Sequence, residues 1–196
     1  MSGRIKLCGM RTVEDAVFCA EAGADELGVI FADRSKRKVS VEMAAAIRQA
    51  VKVPVVGVFL DAPLDEVLKT IRVAGLHAAQ LHGNWSTSDL FPFYAALQVT
   101  GIESLQPRPG ASRILLDGPA GGSGKSFAWA LAAEARKLYQ APLYIAGGLT
   151  AENVGEAIRQ ARPDGVDVSS GIENELGFKS KERVRAFVSA AKEAFQ

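Results

Sequence analysis

A cysteine and an aspartate each close a short apolar run: Cys8 ends Lys6-Leu7-Cys8-Gly9, and Asp117 ends Ile114-Leu115-Leu116-Asp117-Gly118. A thiol that can take up a proton as its thiolate and a carboxyl that can give one suit general acid–base chemistry, provided the fold brings them to one pocket. Each also has a plainer reading. Free cysteines are commonly buried as small apolar residues, and an aspartate before glycine is a good turn or cap residue. An acid ending an otherwise apolar run nevertheless points to function. Cys19, on the apolar stripe of a helical stretch, reads as core.

Two glycine-bearing turns suit an anion. Ala146-Gly147-Gly148-Leu149-Thr150 and Ser169-Ser170-Gly171 each follow an apolar run, and glycines let backbone N–H groups approach a phosphate closely. Gly147, Gly148, Ser170 and Gly171 are therefore phosphate candidates, with mere loop punctuation as the alternative. Arg34-Ser35-Lys36-Arg37-Lys38 is a charge run, usually a solvated face, but one arginine in it could grip a carboxylate with a two-pronged hydrogen bond. His82, in Gln80-Leu81-His82-Gly83, is a binding group or a satisfied structural histidine. The other histidine, His77, lies before that run rather than after it. No Cys/His constellation has zinc spacing, so no metal site is expected.

The segment 118–126 resembles a phosphate-cradling P-loop, but its spacing fails. Counting back from Gly124 puts Pro119 where the first glycine should stand, and a proline there removes an N–H from the cradle. A nucleotide-binding protein built on this segment is the rival reading from another class. The stretch otherwise reads as a glycine-rich loop near the site.

Positioning these residues requires short strands that present their ends together. Apolar runs at 5–8, 27–31, 55–60, 78–81, 114–117, 143–146 and 166–169 read as strands covered on both faces. Amphipathic stretches at 13–22, 41–50, 64–74, 128–139, 151–161 and 181–195 read as helices between them. Thr12 before Asp15, Ser40 before Met43 and Thr150 before Asn153 supply hydroxyl caps. A weaker eighth strand falls around 98–103. Alternating strand–helix units permit an open doubly wound sheet or a closed (β/α)8 barrel. Eight units fit, and no G-x-G-x-x-G follows the first strand, so the barrel is expected, as one domain over 1–196. Barrels of this type place reactive groups at the C-terminal strand ends and phosphate after strands seven and eight. Residues 84–111, with Pro107, Pro109 and Gly110, leave little room for a full helix, so the fifth helix is expected to be shortened or absent.

The 196 residues are 48% hydrophobic and 23% charged, with net charge +1. Near-neutrality argues against a dedicated nucleic-acid or membrane-surface binder. Two cysteines exclude a disulfide scaffold, and no run approaches the roughly 20 apolar residues of a membrane span. A cytoplasmic enzyme acting on a small molecule is expected, with oligomeric state left open and a monomer favoured.

In order and spacing the sequence resembles the phosphoribosylanthranilate isomerases of tryptophan biosynthesis. The residues that carry this are Lys6-Leu7-Cys8-Gly9-Met10, the segment 23–31, Ser35-Lys36-Arg37-Lys38-Val39-Ser40, Val56-Gly57-Val58-Phe59 and Gln80-Leu81-His82-Gly83. Leu115-Leu116-Asp117 with 121–127, Ala146-Gly147-Gly148-Leu149 and the segment 165–173 complete the set. The resemblance implies a (β/α)8 barrel without cofactor or metal, and an Amadori rearrangement of N-(5-phosphoribosyl)anthranilate. It also implies Cys8 as general base, Asp117 as general acid, Arg37 as holder of the substrate carboxylate, and Gln80 and His82 as substrate-binding residues. The sequence departs from the family pattern at Lys36, Lys38 and Leu176-Gly177, and in a short 84–111 stretch. A sugar-phosphate isomerase with another substrate is the third reading.

Overall fold

Runs that are apolar on both faces bury completely when helices cover both sides of an open sheet, or one side of a sheet that closes on itself. In the computed structural model, which describes residues 3–83, 85, 91–118 and 127–196, these runs do so. In chain order the elements are β1 (Arg4–Cys8), α1 (Val13–Glu21), β2 (Glu26–Ile30), α2 (Val41–Ala50), β3 (Val55–Leu60), α3 (Leu64–Ala74), β4 (Ala78–His82) and β5 (Phe93–Gln98). They continue with β6 (Arg113–Asp117), α4 (Phe127–Leu138), β7 (Leu143–Ala146), α5 (Val154–Ala161), β8 (Gly165–Val168) and α6 (Lys181–Ala194). Each strand pairs parallel with its neighbour in sequence, and β8 returns to β1, closing an eight-stranded barrel.

Alternation along each strand splits the packing into two shells. Ile5, Leu7, Leu27, Val29, Ile114, Leu116 and Val166 face outward into one continuous cluster with the helices, where each such side chain contributes roughly 1.5–3 kcal/mol. The inward residues form separate small groups, among them Ala96, Leu115, Tyr144 and Ala146. The barrel interior also carries charge: Lys6, Glu26 and Asp167 are buried.

Two of the expected caps form. Thr12 Oγ1 accepts from Asp15 N at 3.1 Å and Ser40 Oγ from Met43 N at 3.2 Å. The third does not. α5 begins at Val154 with Asn153 as its N-cap, and Thr150 instead donates its backbone N–H to Asn153 Oδ1 at 2.8 Å. The eighth strand is also corrected: it is Phe93–Gln98 rather than 98–103, and residues 102–104 form a 3-10 turn. That turn stands alone between β5 and β6, so the helix after the fifth strand is missing, as expected. Tyr139, just past α4, donates its hydroxyl to Gln106 O at 2.7 Å and covers part of the gap. Among the described residues no helix is long and apolar enough to cross a membrane.

Candidate active site

The C-terminal strand ends surround a cavity of about 240 Å³ lined by alternate residues of seven strands: Cys8, Ile30, Val58, Gln80 with His82, Asp117, Ala146 and Asp167. Arg37 and the turns at 147–149 and 169–170 complete its wall. Cys8 and Asp117, chosen at strand ends, thus share one pocket with the carboxylate-gripping and phosphate-cradling candidates. Gly171 stands behind that wall rather than in it. A Cβ there would lie 1.9 Å from the Leu149 carbonyl oxygen, so this glycine lets the two turns touch.

Cys8 is buried, and its seat depends on the next strand. A Cβ on Gly28 would come within 2.5 Å of the Cys8 Sγ. Burial pushes the thiol above its ordinary value, while Lys6 pulls it back down; Asp167 adds to the rise and Lys179 opposes it. Lys6 points into the barrel, fully buried, with its ammonium 2.9 Å from Asp167 Oδ1. On Asp117 burial again dominates, with Asp167 adding repulsion and Lys6 partly offsetting it, and the carboxyl is pushed up to about 6. Held there, roughly one carboxyl in ten carries its proton at pH 7, against fewer than about one in a thousand for an ordinary aspartate, which is the direction a proton donor needs.

Burial, and secondarily Lys6, push His82 down to about 4, so its imidazole is neutral at pH 7. Gln80 Nε2 lies 2.8 Å from His82 Nε2. With the amide donating, the ring carries its hydrogen on Nδ1, and Gln80 Oε1 is left buried with no protein partner among the described residues. Ser169 Oγ is likewise buried and unpartnered. Such atoms normally require a partner, and both residues line the cavity. His77 sits away from the mouth, accepting from Val55 N at its Nδ1, 3.0 Å away.

The turns after β7 and β8 close one side of the cavity. Gly147 and Gly148 adopt φ of +85° and +65°, which L side chains rarely reach. Asn153 Nδ2 ties the turn down by donating to Gly148 O at 2.9 Å. A 3-10 turn over Ser170–Ile172 follows β8. Residues 119–126, which carry the P-loop-like spacing, lie outside the described residues.

Arg37 already holds a carboxylate. Its Nε and Nη2 donate to Glu173 Oε1 and Oε2 at 2.5 and 2.7 Å. Lys179 Nζ donates to the same Oε1 at 3.0 Å. Burial works against the Glu173 charge, but Arg37 and Lys179 outweigh it and hold the carboxyl below its ordinary value.

Sequence reasoning left the direction of Lys6 open and passed over Asp167, Ser169, Glu173 and Lys179. An ionisable residue alternating with valines, as in Gly165-Val166-Asp167-Val168, was the available signal, since a buried charge demands a partner. Among the described residues, no group of three or more His, Cys, Asp or Glu is placed to hold a metal.

The family described as N-(5'-phosphoribosyl)anthranilate (PRA) isomerase matches residues 5–190. The N-(5'-phosphoribosyl)anthranilate isomerase of Myxococcus xanthus is 42% identical over 208 aligned positions, spanning 98% of this chain and 97% of the relative. The crystal structure of phosphoribosyl anthranilate isomerase from Thermotoga maritima superposes with TM-score 0.87 at 34% identity, covering 97% of this chain and 99% of that one. A solved isomerase in complex with reduced 1-(o-carboxyphenylamino)-1-deoxyribulose 5-phosphate is 33% identical, with TM-score 0.87 and coverage of 97% and 99%.

Proposed function

The chain belongs to the N-(5'-phosphoribosyl)anthranilate isomerase family, the isomerases of tryptophan biosynthesis, and on that premise we propose how its own residues carry the reaction. Asp117 is the general acid and Cys8 the general base of an Amadori rearrangement. Arg37 holds the anthranilate carboxylate, and the turns at Gly147-Gly148 and Ser169-Ser170 hold the phosphate. Gly171, next to Ser170, completes the second turn and lets the two turns touch.

The protonated Asp117 gives its proton to the ribose ring oxygen as the C1–O bond breaks, and the nitrogen lone pair closes a C1=N iminium. That cation acidifies the hydrogen on C2. Cys8, as thiolate, removes it; the C–H electron pair forms C1=C2, and the iminium pair returns to nitrogen. Tautomerisation of the resulting enol gives 1-(2-carboxyphenylamino)-1-deoxyribulose 5-phosphate. Lys6 and Lys179 favour the thiolate, and the iminium adds positive charge beside it at the step that needs it. The neutral His82 keeps Gln80 oriented, so the free Gln80 oxygen faces the substrate as an acceptor.

The observation that carries this reading is Asp117, held up to about 6 in the same cavity as Cys8. Purified wild type, Cys8→Ala and Asp117→Asn are each given freshly prepared N-(5-phosphoribosyl)anthranilate. Each variant is expected to lose roughly 10²- to 10⁴-fold in kcat with an unchanged circular dichroism spectrum. Near-full turnover by either folded variant removes its assigned role, and a folded but inert wild type overturns the reaction itself.

A further inference from the structure

We propose that Glu173 is a positioning residue for Arg37: it fixes one edge of the guanidinium so that the other edge stands ready as a two-pronged fork for the substrate carboxylate. The inference rests on the reading of Arg37 as the carboxylate holder. Arg37 sits on the connection between β2 and α2, on a turn in which Lys38 N donates to Ser35 O. A long side chain there carries about 2 kcal/mol of rotamer entropy, and its own turn gives the guanidinium no partner. Glu173, arriving from the far end of the chain, supplies one. Its two oxygens take the Nε–H and one Nη2 hydrogen, which is the full side edge of the fork. Among the described residues nothing pairs with the Nη1/Nη2 edge, the other bidentate face that a carboxylate fits.

Glu173 is itself immobilised. It is 4% exposed. Lys179 donates both to its Oε1 and to the Ser169 carbonyl, at 3.0 and 3.1 Å, and Arg183 donates to its main-chain oxygen at 2.5 Å. The backbone bridges Glu173 to Lys179 as well. The carboxyl is therefore a fixed post against which Arg37 is set, and the post hangs from the connection after β8 that also carries Ser169 and Ser170.

Positioning and simple electrostatics predict opposite outcomes. Arg37, Lys179 and Glu173 together carry one net positive charge, so removing the Glu173 charge makes the cluster more attractive to an anion. If charge governs, Glu173→Gln tightens substrate binding; if orientation governs, it loosens it.

The test compares wild type, Arg37→Met, Glu173→Gln and the double variant on two substrates, N-(5-phosphoribosyl)anthranilate and N-(5-phosphoribosyl)aniline, which lacks the carboxylate. Glu173→Gln is expected to raise KM for the anthranilate compound about ten- to a hundredfold. KM for the aniline compound should stay within about twofold, and the double variant should be no worse than Arg37→Met alone. Glu173→Asp, one methylene short with its charge retained, should shift KM in the same direction by less. An unchanged or lowered KM, or equal losses on both substrates, overturns the proposal. If Arg37→Met leaves the preference for the carboxylated substrate intact, the reading of Arg37 fails instead, whatever Glu173 does.

Discussion

Asp117 illustrates how one residue sets catalysis against stability. A general acid, the role proposed for it, needs a protonated fraction near neutrality, and burial together with the nearby Asp167 raises that fraction. The folded value, about 6, lies above the ordinary 3.8, so folding favours the protonated form. Whatever this carboxyl contributes to stability is present below its unfolded value and is lost as pH rises through about 6. A gap of about two units corresponds to at most about 3 kcal/mol. Asp117→Asn, which carries no charge at any pH, should therefore be more stable than wild type at pH 8 by about 1–3 kcal/mol and equal to it near pH 4. Urea unfolding at the two pH values measures this, and equal midpoints at pH 8 would remove the burial argument. Cys8 and Asp117 were legible as candidates because chemistry in such barrels happens at strand ends, and both residues end strands. Their electrostatic neighbours were not, because Lys6 and Asp167 meet 161 positions apart and no local pattern in either segment names the other.

At the scale of elements, the site depends on connections that touch. Gly147 approaches Gly118 so closely that a Cβ would lie 2.6 Å from its backbone nitrogen, and Gly171 meets the Leu149 carbonyl in the same way. Both obstacles are backbone, which cannot swing aside as a side-chain tip can. Gly171→Ala must separate the turns after β7 and β8, at a cost of the order of 1–3 kcal/mol expressed at the proposed phosphate site. The expected result is roughly a tenfold weaker competitive inhibition by inorganic phosphate, with the barrel intact by circular dichroism. Undiminished inhibition would show that the phosphate is held elsewhere. The strand that sequence reasoning misplaced belongs to this scale too. The stretch 98–103 holds β-branched Val99 and Thr100, which favour strands, whereas Ala95 and Ala96 do not. In the closed barrel small side chains suit the fifth strand: Ala96 packs inward with Leu115, Tyr144 and Ala146, and closure overrides propensity. The missing helix, in contrast, was readable, since Pro107, Pro109 and Gly110 act on the backbone directly.

Across the whole molecule the barrel interior is a column of charge with a different task at each end. At the C-terminal mouth burial displaces the proton affinities of Cys8, His82 and Asp117 from their ordinary values. At the opposite end Glu26, 1% exposed, is saturated: Tyr94 and Tyr144 donate their hydroxyls to it at 2.9 and 3.0 Å, and Arg113 reaches it at 3.3 Å. Lys6 lies between the two, paired in register with Glu26 on β2 and with Asp167 on β8. A saturated buried carboxylate closes the barrel floor by tying β2, β5, β6 and β7 together, the usual division in which the floor serves stability and the mouth serves function. Removing it leaves two buried hydroxyls and the half-buried Arg113 without this partner. Glu26→Ala should therefore cost about 3–5 kcal/mol of stability while leaving kcat/KM at low temperature near the wild-type value. Urea unfolding and initial rates on the same preparation separate the two effects. If the rate falls as steeply as the stability, the floor and the mouth are coupled through Lys6, and the division of labour between them is wrong.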